Sequence, residues 1–369
     1  MAVVSYKCPN CDGPLVFRPE KNNFHCDFCG SDFFRQEAED ANKNAKDAEK
    51  TEHVEVFSDV VESEFKDISH DEAEDEQFEK EAATYSCPSC GAEIITAEST
   101  AATTCYYCHN PVILSGKLSR EFRPDRLIPF TFSKEEAERR FREFCGKKKF
   151  LPKEFLAPGT FSEITGVYYP YFIVDAKVNG SASGKSKSVR TWVSGKYQYT
   201  ETTVYQHDRS GFLDIDGIAV SAYKDGDRNL LKYVCPFDES QSVDFSMAYL
   251  SGFQAEKRQF KKDELKNDIM NQVRNISEAE FRSTMAGHGS ISSMDLTINE
   301  YKDQWEYFLF PLWVLTCKYK GKLYRYALNG QTGKVYGELP IHVPKLLLTT
   351  FGMAAATFIV LFIMGGFLI

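Results

Sequence analysis

Two near-copies of one chemical device stand in this chain. YKCPNC begins at Tyr6 and YSCPSC at Tyr85, and each is followed at the same interval by a second cysteine pair. The first quartet is Cys8, Cys11, Cys26 and Cys29; the second is Cys87, Cys90, Cys105 and Cys108. Both follow the spacing Cys-x2-Cys-x14-Cys-x2-Cys. Two residues between thiols let one tight turn aim both sulfurs at one ion, and two such turns complete a tetrahedron. Four soft sulfur donors leave no open position for water, so the expected ion is structural Zn²⁺, two per chain, and not a catalyst. A rubredoxin-like iron site uses the same ligands, but nothing else in the sequence suggests electron transfer. His25 and His109 adjoin ligands; either could substitute for one, but each reads better as a surface residue. In the first quartet Val16, Phe17, Phe24 and Phe28 are the sizeable apolar residues. So little core predicts that metal binding supplies the folding free energy, on the order of 10 kcal/mol.

Other chemical patterns fail on inspection. NGSASGKS, from Asn179, looks like a phosphate-binding loop, but only three residues separate Gly180 from Gly184, and the stretch that follows reads as strand rather than helix. His207, Asp208, Asp214 and Asp216 lie in HDRSGFLDIDG, where turn chemistry accounts for them better than catalysis. No GxSxG or HExxH is present. No catalytic or cofactor-binding residue is assigned, the chain is read as a non-enzyme, and no small-molecule substrate is expected.

The elements that must hold these residues divide the 369-residue chain into six segments. The expected units are a first zinc ribbon (1–34), an acidic linker (35–84), a second ribbon (85–112), a helical connector (113–160), an α+β domain rich in strands (161–344) and a transmembrane tail (345–369). The linker holds 18 Asp/Glu against 6 Lys/Arg and no Gly or Pro, and reads as solvated helix or disorder. In a protein of net charge −9, this one stretch leaves the rest slightly basic. In the connector, Ser133 and Glu136 form a capping box before a helix whose buried stripe is Ala137, Phe141, Phe144 and Cys145. Glu135–Arg139, Glu136–Arg140 and Glu138–Arg142 are spaced as ion pairs on its outer side. Beyond it, Tyr197, Tyr199, Glu201, Thr203 and Tyr205 share one strand face after a Ser194-Gly195 turn. Lys320 and Gly321 turn a second hairpin. Leu265, Ile269, Val273 and Ile276 mark a helix between the strand groups. YPYFIVDAKVNG, from Tyr169, aligns with FPLWVLTCKYKG, from Phe310, which suggests two related strand units.

The final 24 residues, Leu346 to Ile369, carry no charge. As a helix they span roughly 36 Å, enough to cross a hydrocarbon core of about 30 Å. Because they end the chain they read as a tail anchor. Arg325, Lys334 and Lys345 precede them, which favours a cytoplasmic body and a single pass through the cell membrane. The N-terminus MAVVSYKCPN lacks the apolar stretch of a signal peptide. Eight of eleven cysteines sit in Cys-x2-Cys pairs, as expected of reduced, metal-binding thiols, and Cys145, Cys235 and Cys317 read as small buried apolar residues.

Taken together these features resemble the bacterial TFIIB-type zinc-ribbon-containing membrane proteins of the YdjG-like family. The likeness covers essentially the whole chain. It rests on both quartets, AATTCYYCHNPVILSGKL, FSMAYLSGFQAEKR from Phe245, YALNGQTGKVYGELP from Tyr326, and the apolar tail. The resemblance implies a membrane-bound zinc-ribbon protein, with SPFH-domain or phage-shock-type membrane-stress proteins as the partners to expect. The first ribbon is net acidic by one, and the second has no Lys or Arg between Tyr85 and Pro111, which makes both poor phosphate surfaces. The expected function is therefore an adaptor that binds proteins at the membrane, with the two ribbons reaching out on the acidic tether. The alternative is a nucleic-acid-binding protein tethered there.

Overall fold

The computed structural model describes residues 3–42, 82–97, 99–105, 108, 110–114, 122–156, 164–224, 227–285, 287 and 291–366. The acidic segment from 43 to 81, and with it most of the expected linker, lies outside the described residues, as do Tyr106, Tyr107, His109 and 367–369. The fold is α+β. In chain order it begins with β1 (Val3–Val4), β2 (Val16–Arg18), β3 (Asn23–His25), β4 (Asp32–Phe33) and α1 (Arg35–Ala41). The second quartet sits among β5 (Ala82–Ser86), β6 (Glu93–Ala97), β7 (Thr100–Thr104) and β8 (Pro111–Leu114). Next come β9 (Arg126–Leu127), α2 (Lys134–Gly146), β10 (Thr165–Ser194), β11 (Tyr197–Ser221), α3 (Arg228–Tyr233) and β12 (Val243–Asp244). The chain continues through β13 (Gln254–Glu256), α4 (Lys262–Thr284), β14 (Ile291–Tyr319), β15 (Lys322–Asn329), β16 (Val335–Gly337) and α5 (Val343–Gly366).

One sheet of 11 strands organises the molecule, with β1, β8, β7, β13, β10, β14, β15 and β16 in spatial order. Its centre is a duplication. β10 and β14 run antiparallel with Tyr169 opposite Phe310, so the two aligned sequence segments lie side by side, related by an approximate two-fold axis. The outer strands obey the same relation: β11 starts to pair at Tyr171, and β15 at the corresponding Leu312. So do the short parallel strands, with Val167 opposite Gln254 on one side and Phe308 opposite Arg126 on the other. Seven residues after Leu127 comes the start of α2, and seven after Ala255 the start of α4. Ala137, Phe141 and Cys145 are buried on the first helix, and Leu265, Ile269 and Val273 at the matching positions of the second. The repeat unit is thus strand–helix–strand–strand, and each unit lends its first short strand to the long strand of the other. The expected connector is an integral part of the first unit. Phe141 of α2 packs its ring 5.0 Å from that of Tyr326 on β15.

Both helices form where the sequence places them, with local differences. Ser133 Oγ accepts the Glu136 N–H at 3.4 Å, but the Glu136 carboxylate is taken up by Arg139 (2.7 Å) and Arg140 (2.6 Å) instead of closing a capping box. Arg139 therefore pairs with Glu136 and Glu143, not with Glu135. On α4 the stripe runs from Val273 to Ser277 and Phe281, one helical turn at a time, leaving Ile276 on the flank with 36% exposure.

The loop-like NGSASGKS lies within extended β10. Its small residues serve packing: α4 crosses over them, and a Cβ on Gly180 would meet the Phe281 ring at 3.2 Å, one on Gly184 the Met285 sulfur at 3.4 Å. His207 is buried beside them, its Nε2 2.8 Å from Ser186 Oγ. Cys145 and Cys317 are buried, and Cys235 partly so. Burial pushes the thiols of Cys145 and Cys317 up to about 12, and that of Cys235 to about 11. These are inert positions.

The expectation of two ribbons swinging on a tether is corrected here. Both quartets are attached to the same sheet. β1, which precedes the first quartet, pairs with β8 of the second (Val3 opposite Leu114, Val4 opposite Ile113). β7 in turn pairs with β13, with Ala102 opposite Ala255. The first quartet is also docked through its own hairpin. Phe17 N–H donates to the Ser251 carbonyl at 3.1 Å, and Ser251 Oγ donates to the Leu15 carbonyl. The segment 43–81 therefore joins two points that are already fixed.

Candidate metal centres

The first centre is built by two knuckles facing each other across a three-stranded sheet of β2, β3 and β4. One knuckle lies before β2 and contributes Cys8 and Cys11; the other lies between β3 and β4 and contributes Cys26 and Cys29. In each the chain turns back through a residue of positive φ directly after the second cysteine: Asp12 at 58° and Gly30 at 72°. Gly91 repeats this after Cys90, at 75°. Glycine adopts that conformation without strain, which accounts for its place at two of the three turns. Gly30 N–H donates to the Cys26 carbonyl at 2.9 Å, and Gly91 N–H to the Cys87 carbonyl at 2.9 Å, closing both knuckles the same way.

Alternation along the strands decides which side chains support the sulfurs. Phe17 and Phe24 point inward and are buried with Leu15, whereas Phe28, expected among the small core, is 76% exposed at the knuckle tip. The apolar support of the first centre is not its own. Phe17 packs edge-on against Tyr249 at 5.0 Å and lies 6.5 Å from Phe253. Cys8 and Cys26 belong to the same continuous core. The second centre sits between the β5–β6 and β7–β8 hairpins, over a small cluster of Cys87, Ile94, Cys105, Val112 and Leu114.

All eight predicted ligands converge as two sets of four, each with its sulfurs within 4.8 Å of one another. Cys8 and Cys29 sulfurs are 3.6 Å apart, Cys11 and Cys26 3.5 Å, Cys87 and Cys108 3.7 Å, and Cys90 and Cys105 3.8 Å. A tetrahedron with metal–sulfur bonds of about 2.3 Å has edges of about 3.8 Å. The donor sets therefore fit a four-sulfur ion, and each could hold one. None of the cysteines is disulfide-bonded.

Electrostatics around the sulfurs is uneven. The Ser31 hydroxyl, 3.3 Å from Cys29 Sγ, and the Ser31 N–H bring that thiol down to about 6. Burial pushes Cys8 up, and Cys108 up to about 12, against the backbone N–H groups that favour their thiolates. An ion entering such a set must displace the protons of the buried thiols. His25 takes no part: its Nδ1 is 2.6 Å from Asp32, and its Nε2 3.5 Å from Asp27. Arg18 pairs with Asp27 at 3.1 Å and Lys21 with Asp32 at 3.8 Å, so the cations of the β2–β3 hairpin face carboxylates.

One feature had no signal in the sequence. A cleft of about 900 Å³ lies where the two centres meet the N-terminus of α2, lined among others by Arg18, Lys21, Thr103, Ser133, Gly166 and Trp313. It forms by long-range assembly, which no local spacing encodes. The helix end beside it is already served by acid, since the Glu135 carboxyl is held below its usual range by its own backbone N–H and by Ser133.

No family model and no solved structure matches the chain. Over 368 residues it is 32% identical to an uncharacterized protein, YdjG, of Bacillus subtilis (strain 168), with 99% of each chain covered. The match spans nearly the whole of both chains, and on it the chain belongs to the YdjG family.

Proposed function

We propose that the chain is a membrane-anchored adaptor whose two centres each hold a structural Zn²⁺ and present a protein-binding surface. The observation that carries this reading is the surface of the first centre. Phe28 stands 76% exposed at the knuckle tip and Phe34 71% exposed nearby, while Arg18 and Lys21 beside them are paired with carboxylates. Exposed aromatics amid neutralised charge suit a protein interface and give little to a phosphate backbone. Sulfur separations of 3.5–3.8 Å support zinc as the ion.

The anchor in this reading is α5. Its span Val343–Leu361 is long and apolar enough to cross a membrane, and none of its residues is buried in the rest of the protein. Lys345 at its start and the reduced thiols support a body on the cytoplasmic side. Proteins of the SPFH or phage-shock type are the partners that the family resemblance suggests, and the adaptor works without catalysis.

The test is affinity capture from solubilised membranes with the wild type, Phe28→Ala and Cys87→Ser/Cys90→Ser, together with titration of oligonucleotides at low and physiological salt. The adaptor reading expects a specific protein captured by the wild type and reduced in Phe28→Ala. It also expects loss of membrane association when residues 346–369 are deleted. Tight, salt-sensitive oligonucleotide binding with no protein captured would replace it by a membrane-tethered nucleic-acid binder.

A further inference from the structure

The β10–β11 hairpin outruns the rest of the fold. In the second repeat the hairpin turns at Lys320, which corresponds to Asn179, yet the first hairpin does not turn until Gly195. β14 begins beside Ser186, its Ile291 being the last register partner, and α4 ends at Thr284. From Lys187 to Val204 the sheet therefore has two strands, and among the described residues nothing covers either face. Trp192, Tyr197 and Tyr199 lie on one face and Val189, Val193 and Val204 on the other, each between 42% and 72% exposed. The arm is basic as well: Lys185, Lys187, Arg190 and Lys196 stand against Glu201 alone between Lys185 and Gln206. A bare two-stranded ribbon is at best marginally stable, so apolar residues on both of its faces call for a partner.

A bilayer is not that partner. β16 pairs with β15 at Gly337 opposite Tyr326, level with the start of β10, and His342 N–H donates to the Phe150 carbonyl at 2.7 Å. α5 thus leaves from the end of the sheet where β10 begins, whereas the arm tip lies about 30 residues along β10. At about 3.3 Å per residue that is on the order of 100 Å away.

The complementary surface is in the chain itself. The acidic segment 43–81 carries Val54, Phe57, Val60, Val61, Phe65 and Ile68 among Glu52, Glu55, Asp59, Glu62, Glu64 and Asp67. It is acidic and apolar where the arm is basic and apolar. Held at both ends, the middle of the segment falls short of the aromatic tip of its own chain's arm. Asn42 is fixed by hydrogen bonds to Lys7 at 2.9 Å, in the part docked on Tyr249 and Phe253, and Val60 lies at most about 60 Å of extended chain beyond it. Trp192 lies roughly 85 Å along β10 from Gly166, the neighbour of Phe253. We propose that the β10–β11 arm binds the acidic, apolar segment 43–81 of a second copy of this chain, joining copies well away from the membrane.

This goes beyond the adaptor reading and is tested separately. A labelled peptide of residues 43–81 is titrated into the full chain in detergent micelles, and the oligomeric mass of the full chain is measured by sedimentation, each at low and physiological salt. Wild type should bind the peptide and self-associate. Lys187→Glu/Arg190→Glu should bind it at least about tenfold more weakly and sediment as a monomer, with unchanged thermal stability because these side chains lie outside the core. A peptide carrying Glu55→Lys, Asp59→Lys and Glu62→Lys should restore binding to the reversed arm. The proposal is overturned if the wild type does not bind the peptide, or binds it no better than the reversed arm does. It is equally overturned if the reversed arm loses oligonucleotide binding while self-association stays the same.

Discussion

Phe17 sits where the first metal centre meets the sheet. Its ring is 5.0 Å from Tyr249 and its N–H is bonded to Ser251, while Cys8 and Cys26 share its core. Replacing it with alanine removes a buried ring with little room for collapse, at a cost of about 3–5 kcal/mol. We expect Phe17→Ala to lower the urea midpoint of the full chain and to speed loss of metal from the first centre to a chelator, with the second centre changed less. Equal loss from both centres would show that this ring does not couple the first centre to the sheet. At this scale the sequence was informative where chemistry fixes spacing. The two clusters of four cysteines could be read directly, because two thiols of one knuckle must be three positions apart. Which aromatics lie under the knuckle could not be read. Phe24 and Phe28 look equivalent until the β3 register turns one inward and leaves the other at the tip.

Among the elements, α2 and α4 were legible because a buried stripe repeats every turn, and the hairpins because Gly195 and Lys320-Gly321 supply positive φ. Their relationship was only half legible. The Tyr169 and Phe310 segments match as strings, whereas FSKEEA from Phe132 and FKKDEL from Phe260 show their equivalence only through the positions of their helices. The small-residue run in β10 imitated a phosphate loop because close helix packing and phosphate binding both select glycine. On α2, Arg139 and Arg140 bring the Glu136 carboxyl from its usual 4.5 to about 2. Its folded form thus favours the ionised acid. The stability this adds is present above about 4.5 and is lost as the pH falls through 2. Because the pair stays partly open to solvent the effect is small. Glu136→Gln should melt slightly below the wild type at pH 7, with the gap narrowing below pH 4.5 and closing near 2. A gap that does not change with pH would mean that the pair contributes through packing rather than charge.

For the whole molecule, the sequence suggested separate beads on a string, and the structure instead attaches both metal centres to one duplicated sheet. The reason is physical: β1 finds β8 across more than a hundred residues, and Leu15 finds Ser251 across more than two hundred, so no local pattern carries either contact. The consequence is that the two centres form a fixed pair rather than independent fingers, with the apolar α5 leaving one end of the sheet and the β10–β11 arm extending from the other. The adaptor reading depends on both centres being filled by a structural ion. The most direct measurement is metal content with sulfur ligation of the full chain, purified under reducing conditions: elemental analysis together with X-ray absorption at the metal edge. Two zinc ions per chain, each surrounded by four sulfurs at about 2.3 Å, is the predicted result. One ion or none with all thiols reduced, or iron in place of zinc, would contradict it.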